Sequence, residues 1–304
     1  MQRILVTGAT SFAGVSLVSH LANSGVDVHV LARPGTDRSR FSEFGVDPIV
    51  HVLGAEGAAD AASLARLIEK AEPDVVIHLA GHYLRDHRSS DLEPLVNDNL
   101  LLGVQLLEAM KAAGASAMVT AGSYFQYAGG PEYAPVNLYA ALKQAFGDIL
   151  KYYIDADDFR AISLIIFDTY GPRDWRPRLM AAIRHAQLSG EALALPADNL
   201  PIDMLYIDDL CAAFAVAAKR VSAEDFTPAR LEYSLASGED VKLDELVEIF
   251  AEVGGRPISV QAGAYPAQAR NVSKLWQGPA LPGWRAQVSL RDGIRKFIDG
   301  YGES

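Results

Sequence analysis

The stretch VTGATSFAG, residues 6–14, constrains the fold more than any other part of the chain. It joins an apolar strand-like run, RILVTG, to a helical pattern, FAGVSLVSHLANSG, which Gly25 is placed to stop. Gly8, Ser11 and Gly14 stand at the spacing of a G-x-x-G-x-x-G turn. At a first strand–helix junction such a turn aims backbone N–H groups and the positive end of a helix dipole at one point, which suits a pyrophosphate. Glycine-rich turns end many strands, so it is the placement that gives this one weight. Ser11 replaces the middle glycine; it is small, and its hydroxyl is a further donor for a phosphate.

The turn opens an alternation of strand and helix patterns. VDVHVLA reads as the second strand, DPIVHVL as the third, residues 60–71 as a helix and DVVIHLAG as the fourth strand. PLVNDNLLLGVQLLEAMKAAG reads as one long helix from Pro94 to Gly114. ASAMVTAG is a strand, residues 138–154 a helix and RAISLIIFDTYG a strand. The strands are apolar without strict alternation, as expected of a parallel sheet covered on both faces. The expected fold is therefore α/β, a Rossmann-type doubly wound parallel sheet over residues 1–170. After Tyr170-Gly171-Pro172 the texture becomes basic, turn-rich and broken. Residues 171–304 read mainly as a smaller α/β substrate-binding region, with some elements returning to the main sheet. Within it LYIDDLCAAFAVAAKR is a helix with Asp208 or Asp209 at its start.

The net charge of −11 argues against nucleic acid and membrane surfaces as partners, because both select basic faces. The single cysteine, Cys211, forms no internal disulfide, and the sequence suggests no metal site. With no signal peptide and no spanning apolar run, the chain reads as cytoplasmic.

The second strand ends in VLARPGTDRSR, where an NAD-binding chain usually carries an acid for the ribose hydroxyls. Ala32 holds that position and Arg33 follows, with Arg38 a second cation; both arginines would attract a 2′-phosphate. The reading favours NADP (as NADPH) and keeps NAD as the alternative. Solvated loop arginines would look the same.

LYAALKQAFGDIL places Tyr139 and Lys143 at i and i+4, on one helix face. A neighbouring cation lowers a phenol's pKa, so the pair makes an acid/base unit for interconverting an alcohol and a ketone. Alone the pair is weak evidence. With the glycine turn and with Ser123 upstream in VTAGSYFQYAGG it is strong.

T-G-A-T-S-F-A-G, H-L-A-G, the Ser123 turn ending in Tyr127, Y-A-A-L-K, Y-G-P and Y-I-D-D occur in the order of the extended short-chain dehydrogenase/reductase family, which the chain resembles over nearly its whole length. The ending, LPGWRAQVSLRDGIRKFIDGY, is similar to that family's C-terminal pattern. The family contains nucleotide-sugar epimerases, dehydratases and reductases. The resemblance implies a catalytic triad of Ser123, Tyr139 and Lys143. Tyrosine exchanges the proton, lysine binds the nicotinamide ribose and lowers the tyrosine pKa, and serine hydrogen-bonds the reacting oxygen. It implies cofactor contacts at Gly8, Thr10, Ser11, Phe12, Ala13, Gly14, Arg33, Arg38, Leu79, Ala80, Gly81, Asn99, Ala121, Tyr139, Lys143 and Phe167. Asn99 would equally serve as an ordinary polar residue on a helix face. A homodimer through helices near residues 94–112 and 138–154 is a further implication.

The family's 4,6-dehydratases carry an Asp-Glu pair after the catalytic hydroxyl residue. Tyr124 and Phe125 stand there, which argues against water elimination. The Cys–His pair of the enzymes that make GDP-fucose has no counterpart, since Cys211 lies far downstream. Redox at one carbon remains: ketone reduction by NADPH, or carbon-4 epimerisation on retained NAD. FDTYGP, residues 167–172, is similar to the segment in CDP-abequose and CDP-paratose synthase-like proteins, which reduce the 4-keto group of nucleotide-linked deoxyhexoses. Most epimerases have Asn at the position of Asp168 and a basic residue at that of Ile165. The expected substrate contacts are His82, Tyr124, Asp168, Arg173, Arg178 and Arg270, with Arg173, Arg176 and Arg178 as a candidate diphosphate clamp. His82, Tyr83 and His87 would equally be plain loop residues, and Ile202 replaces an arginine found in many relatives. A nucleotide sensor without catalysis is the remaining class, and such proteins usually lose the Tyr–Lys pair that this chain keeps.

Overall fold

The computed structural model describes residues 1–54, 60–226, 230–267 and 270–300. Tyr301, the last residue of the C-terminal family-like pattern, lies outside them.

Seven parallel strands make the main sheet: β1 (Arg3–Thr7), β2 (Asp27–Ala32), β3 (Ile49–Val52), β4 (Val75–His78), β5 (Ala117–Ser123), β6 (Arg160–Ile166) and, from the C-terminal part, β11 (Arg230–Leu235). Their order is β11-β6-β5-β4-β1-β2-β3. The order reverses between β1 and β4, and in doubly wound sheets ligands bind at the strand C-termini beside that reversal. The central strands are buried on both faces, which is why they read as apolar runs without alternation.

Helices α1 (Phe12–Asn23) and α8 (Ile207–Val221) pack together on one face. Helices α3 (Ala61–Ala71), α5 (Leu102–Ala112) and α6 (Leu138–Asp157) cover the other. The short α2 (Ser39–Glu43) follows β2. The segment read as one helix from Pro94 to Gly114 starts earlier, as α4 (Leu92–Val96), and passes through a π-helical turn (Asn97–Leu101) before α5. Such turns recur at functional sites, and this one carries Asn99. Gly114, at φ 73°, ends the rod as expected.

The run RAISLIIFDTYG splits. β6 stays in register with β5 up to the pair Ser123–Ile166, where β5 ends. With no neighbour beyond that point, β7 (Asp168–Tyr170) leaves the sheet and pairs with β10 (Met204–Tyr206). Two further small sheets join β8 (Leu193–Pro196) to β13 (Val260–Tyr265), and β9 (Pro201–Ile202) to β12 (Val241–Lys242). Helices α7 (Leu179–Ser189), α9 (Leu243–Val253) and α10 (Leu290–Asp299) complete the C-terminal part. Tyr206, not an aspartate, caps α8; Asp208 and Asp209 lie in its first turn. The Asp209 carboxylate instead accepts from Gln287 N and Val288 N, each at 3.0 Å, tying the C-terminal segment to α8. Among the described residues no helix is long and apolar enough to cross a membrane.

Candidate active site

A cleft of about 1180 Å³ opens over the C-terminal edge of the sheet, between the Rossmann core and the segments that follow β7. The glycine turn forms one end. Gly8 has φ 70°, and a Cβ there would come within 2.6 Å of Ala80 N, so the turn packs backbone to backbone against the end of β4. A Cβ on Gly14 would collide with the carbonyl oxygen of Gly8 and come within 2.7 Å of Ala9 Cα. Ser11 caps α1: its Oγ accepts from Gly14 N at 3.1 Å. The same hydroxyl donates to Gly8 O at 2.8 Å, so its proton holds the turn and is not offered to a phosphate as the sequence suggested. The N–H groups of Phe12 and Ala13, in the first turn of α1, have no acceptor within the helix, and both residues line the cleft. This cradle fits a dinucleotide pyrophosphate.

Ser123, Tyr139 and Lys143 converge on the same cleft. Ser123 ends β5, and its Oγ accepts from Phe125 N at 3.3 Å while its N–H donates to Gln126 Oε1 at 2.8 Å. That reciprocal cap fixes the serine at the strand end. Tyr139 and Lys143 share the first two turns of α6, whose N-cap, Asn137, accepts from Ala140 N at 2.9 Å. Lys143 Nζ lies 5.8 Å from the Tyr139 ring centroid. The Tyr139 hydroxyl and the Lys143 ammonium have no hydrogen-bond partner among the described residues. Burial acts oppositely on the two: it raises the tyrosine to about 12 and lowers the lysine to about 8. The lysine does not pull the tyrosine down here, contrary to what the spacing suggested, because the desolvation of both groups outweighs an ammonium that is not in contact with the phenol oxygen.

Lys143 is held beside a neutral histidine. His78 is fully buried, with Nδ1 2.8 Å from Thr7 Oγ1, and burial together with the Lys143 charge pushes its pKa down to about 3. Thr7 Oγ1 also accepts from Ala80 N at 3.3 Å, which locks the β4 end that carries Leu79, Ala80 and Gly81. A Cβ on Gly81 would lie 3.1 Å from Lys143 Nζ and 3.0 Å from Asn99 Oδ1, so its absence makes room for both. Asn99 does not line the cleft. Its Nδ2 donates to His82 O and Leu95 O, both at 2.9 Å, and its Oδ1 accepts from His82 N at 3.0 Å. It clamps the loop after β4, which is more than a helix-face polar residue would do.

The other predicted residues divide. Ser11, Phe12, Ala13, Arg33, Leu79, Gly81, His82, Ala121, Tyr124, Phe167, Asp168 and Arg178 line the cleft. Gly8, Gly14 and Ala80 lie outside its lining and pack against its neighbours along the chain. Thr10, Arg38, Arg173 and Arg270 are not part of its lining. Arg173, at φ 60°, donates to Glu43 O at 3.0 Å, and Arg176 is gripped by Asp174 through two 2.8 Å contacts. Of the three arginines in PRDWRPR, Arg178 is the one that reaches the cleft without a carboxylate grip of that kind; its guanidinium lies 4.6 Å over the Tyr83 ring. Arg33 faces Asp98 at 3.5 Å, and the same carboxylate lies 3.6 Å from His82 Nδ1. Asp168 accepts from Tyr124 OH at 2.7 Å; burial raises its pKa, while this bond and nearby guanidinium groups act against the rise.

Tyr83, which in the sequence could be a plain loop residue, has a defined place. It packs edge-on against Tyr139 at 5.2 Å and stacks with Phe125 at 5.9 Å, forming an aromatic wall beside the phenol. Sequence reasoning missed Asp98, Asp198 and Asn271, which also line the cleft and which no local motif marks.

A glycine-turn cradle and a Ser–Tyr–Lys cluster in one cleft over a seven-stranded parallel sheet define an enzyme of the extended short-chain dehydrogenase/reductase type. The chain belongs to the NAD dependent epimerase/dehydratase family, which it matches over residues 4–227. It is similar to the CDP-abequose synthase of Salmonella muenchen, 23% identical over 302 residues that cover 98% of this chain and 97% of that one. The CDP-abequose synthase of Yersinia pseudotuberculosis is 26% identical over 266 residues, covering 86% and 88%. Among solved structures, the UDP-glucose 4-epimerase of Thermus thermophilus, in complex with NAD, superposes with a TM-score of 0.79 at 27% identity over 98% of each chain. The family acts on nucleotide sugars.

Proposed function

We propose that this protein is an NADPH-dependent reductase of the 4-keto group of a nucleotide-linked 4-keto-6-deoxyhexose. The observation that carries the reading is a Ser123–Tyr139–Lys143 cluster followed by Tyr124 and Phe125 rather than a carboxylate pair. That chemistry serves redox at one carbon and leaves elimination without its acid and base.

When bound, the nicotinamide supplies hydride to carbon 4. Tyr139 hands its phenolic proton to the oxygen that becomes the alcohol, which balances the reduction. A phenol raised to about 12 is fully protonated at neutral pH, the state a proton donor needs. Ser123 donates a hydrogen bond to the same oxygen, and Lys143 orients the nicotinamide ribose and places positive charge where negative charge develops. The first-turn N–H groups of α1 hold the pyrophosphate, Arg33 reads the 2′-phosphate, and Arg178 meets the substrate diphosphate. The protein supplies position and field, and the hydride chemistry belongs to the cofactor. Leu92, Val96, Leu101 and Tyr152, exposed on the rods that follow β4 and β5, support a homodimer through those helices.

Loss of NADPH absorbance with 4-keto-6-deoxyhexoses linked to CDP, dTDP or GDP, with NADH as control, tests the proposal; turnover of none of them would end it. A second reading, carbon-4 epimerisation on retained NAD, draws on the Arg33–Asp98 contact, because Asp98 competes with a 2′-phosphate for the arginine. Tightly held NAD released on denaturation, without reductase turnover, would select it.

A further inference from the structure

Gln126 is 1% exposed, yet both ends of its side-chain amide are engaged. It closes the 3-10 turn Tyr124–Gln126 that follows Ser123. Its Oε1 accepts from Ser123 N at 2.8 Å, and its Nε2 donates to Gln144 Oε1 at 2.8 Å. Gln144 Nε2 in turn donates to Asp148 Oδ1 at 2.9 Å, on the exposed side of α6. The direction of this chain is forced from its inner end. The backbone N–H of Ser123 only donates, so Gln126 must turn its oxygen to the serine and its nitrogen to α6. Gln144 then has to present oxygen inward and nitrogen outward, and the chain ends on a carboxylate, which only accepts. An apolar side chain would fill the same volume without the cost of desolvating an amide, so packing alone does not account for the glutamine. Gly122 leaves the room that the amide needs: a Cβ there would lie 3.0 Å from Gln126 Oε1.

We infer that Gln126 and Gln144 are positioning residues, a brace that sets the distance from Ser123, at the end of β5, to Tyr139 and Lys143 on α6. The inference rests on the reading that Ser123 and Tyr139 act together on one oxygen of the substrate, and it adds what holds them in register. Two hydroxyls that meet on one oxygen must each be held within about 0.5 Å of the productive geometry by partners of their own. Backbone bonds from Ala134 N to Gln126 O and from Val136 N to Phe125 O, each at 2.9 Å, tie the turn to the segment that leads into α6. The amide chain reaches the helix itself, at the residue that follows Lys143. It also spares the serine hydroxyl. Ser123 Oγ accepts from Phe125 N at 3.3 Å, and its proton has no acceptor among the described residues. The brace grips the serine by its backbone and leaves that proton for the substrate.

The test is steady-state kinetics of the full chain with NADPH and nucleotide-linked 4-keto-6-deoxyhexoses. Gln144→Met cuts the brace and keeps the Gln126 cap on Ser123 N. It should lower kcat roughly 10- to 100-fold, leave KM for NADPH within about twofold, and raise the primary isotope effect with 4-deuterated NADPH. Gln126→Glu keeps an acceptor for Ser123 N but sets a second carboxylate oxygen against Gln144. That amide must then turn over, which points its oxygen at Asp148. Asp148→Asn supplies the missing N–H, so the double variant should be at least about fivefold faster than Gln126→Glu alone. A side chain that merely fills the core predicts no such rescue. Unchanged kcat in Gln144→Met, with or without a lower melting temperature, overturns the inference and leaves the reductase reading intact. A double variant no faster than Gln126→Glu does the same, and if Gln126→Glu does not fold, Gln144→Met decides. If the parent reduces none of the sugars, the reductase reading falls. Crystal structures of the parent and of Gln144→Met then decide the brace without turnover: Ser123 displaced relative to Tyr139 sustains it, and an unmoved Ser123 overturns it.

Discussion

Lys143 is a buried ammonium with no carboxylate partner among the described residues, and this makes an unusual demand on stability. Burial lowers its pKa from 10.5 to about 8. Below about pH 8 the lysine is charged in both the folded and the unfolded chain, and the fold bears the full cost of the desolvated charge. The shift corresponds to about 3 kcal/mol at ~1.4 kcal/mol per unit. Between about 8 and 10.5 the folded chain releases the proton before the unfolded chain does, so stability rises with pH and the cost disappears. Lys143→Met keeps a flexible, unbranched stem and removes the charge. The variant, without added nucleotide, should be more stable than the parent by about 2–3 kcal/mol at neutral pH. For 304 residues that is a rise in melting temperature of roughly 3–5 °C, using ~2.1 cal/mol/K of unfolding entropy per residue. It should at the same time lose nearly all turnover. Scanning calorimetry of both proteins from neutral pH to pH 10.5 measures the gap, which should close across the upper part of that range. A variant that melts no higher than the parent at neutral pH, or a gap that stays constant with pH, would refute the reasoning.

Further substitutions probe other parts of the site. Tyr139→Phe removes a hydroxyl that has no hydrogen-bond partner among the described residues, so melting should hardly change while kcat falls roughly 100- to 10,000-fold in steady-state assays. Gly14→Ala puts a Cβ against the Gly8 carbonyl; it should cost about 1–3 kcal/mol and abolish dinucleotide binding measured by fluorescence titration. Arg33→Ala should raise KM for NADPH roughly tenfold and leave KM for NADH unchanged. Asp98→Asn, which frees the arginine, should lower KM for NADPH in the same assay.

Much of the site was legible in the sequence because its parts are local. The glycine turn is a contiguous stretch whose geometry follows from residue type, since glycine alone readily accepts the positive φ of Gly8 and the contact Gly14 makes with the preceding loop. Tyr139 and Lys143 share a helix face by spacing alone. Where reasoning from the sequence went astray, a hydrogen-bond partner that residue type and spacing do not announce decided the outcome, near in the chain for Ser11 and Arg176 and distant for Arg173. Ser11 looked like a phosphate donor, yet its proton is taken by Gly8 O. The basic run after Tyr170 looked like a three-arginine clamp, yet Asp174 holds Arg176 and Glu43 O holds Arg173.

The sequence by itself determined the alternation of strand and helix, the parallel sheet with both faces covered, the glycine turn and the Tyr139–Lys143 helix face that borders the cleft. Each of these depends on periodicity, backbone freedom or fixed spacing, which neighbours along the chain dictate. Only the tertiary structure decided which groups face one another across the cleft and how charged they are. Asp98 meets Arg33, Asn99 clamps the loop after β4, His78 stays neutral beside Lys143, and Asp198 meets Asn271 from 73 residues away. Burial and opposing charge act through space, so residues far apart in the chain set the electrostatics that local pattern cannot carry.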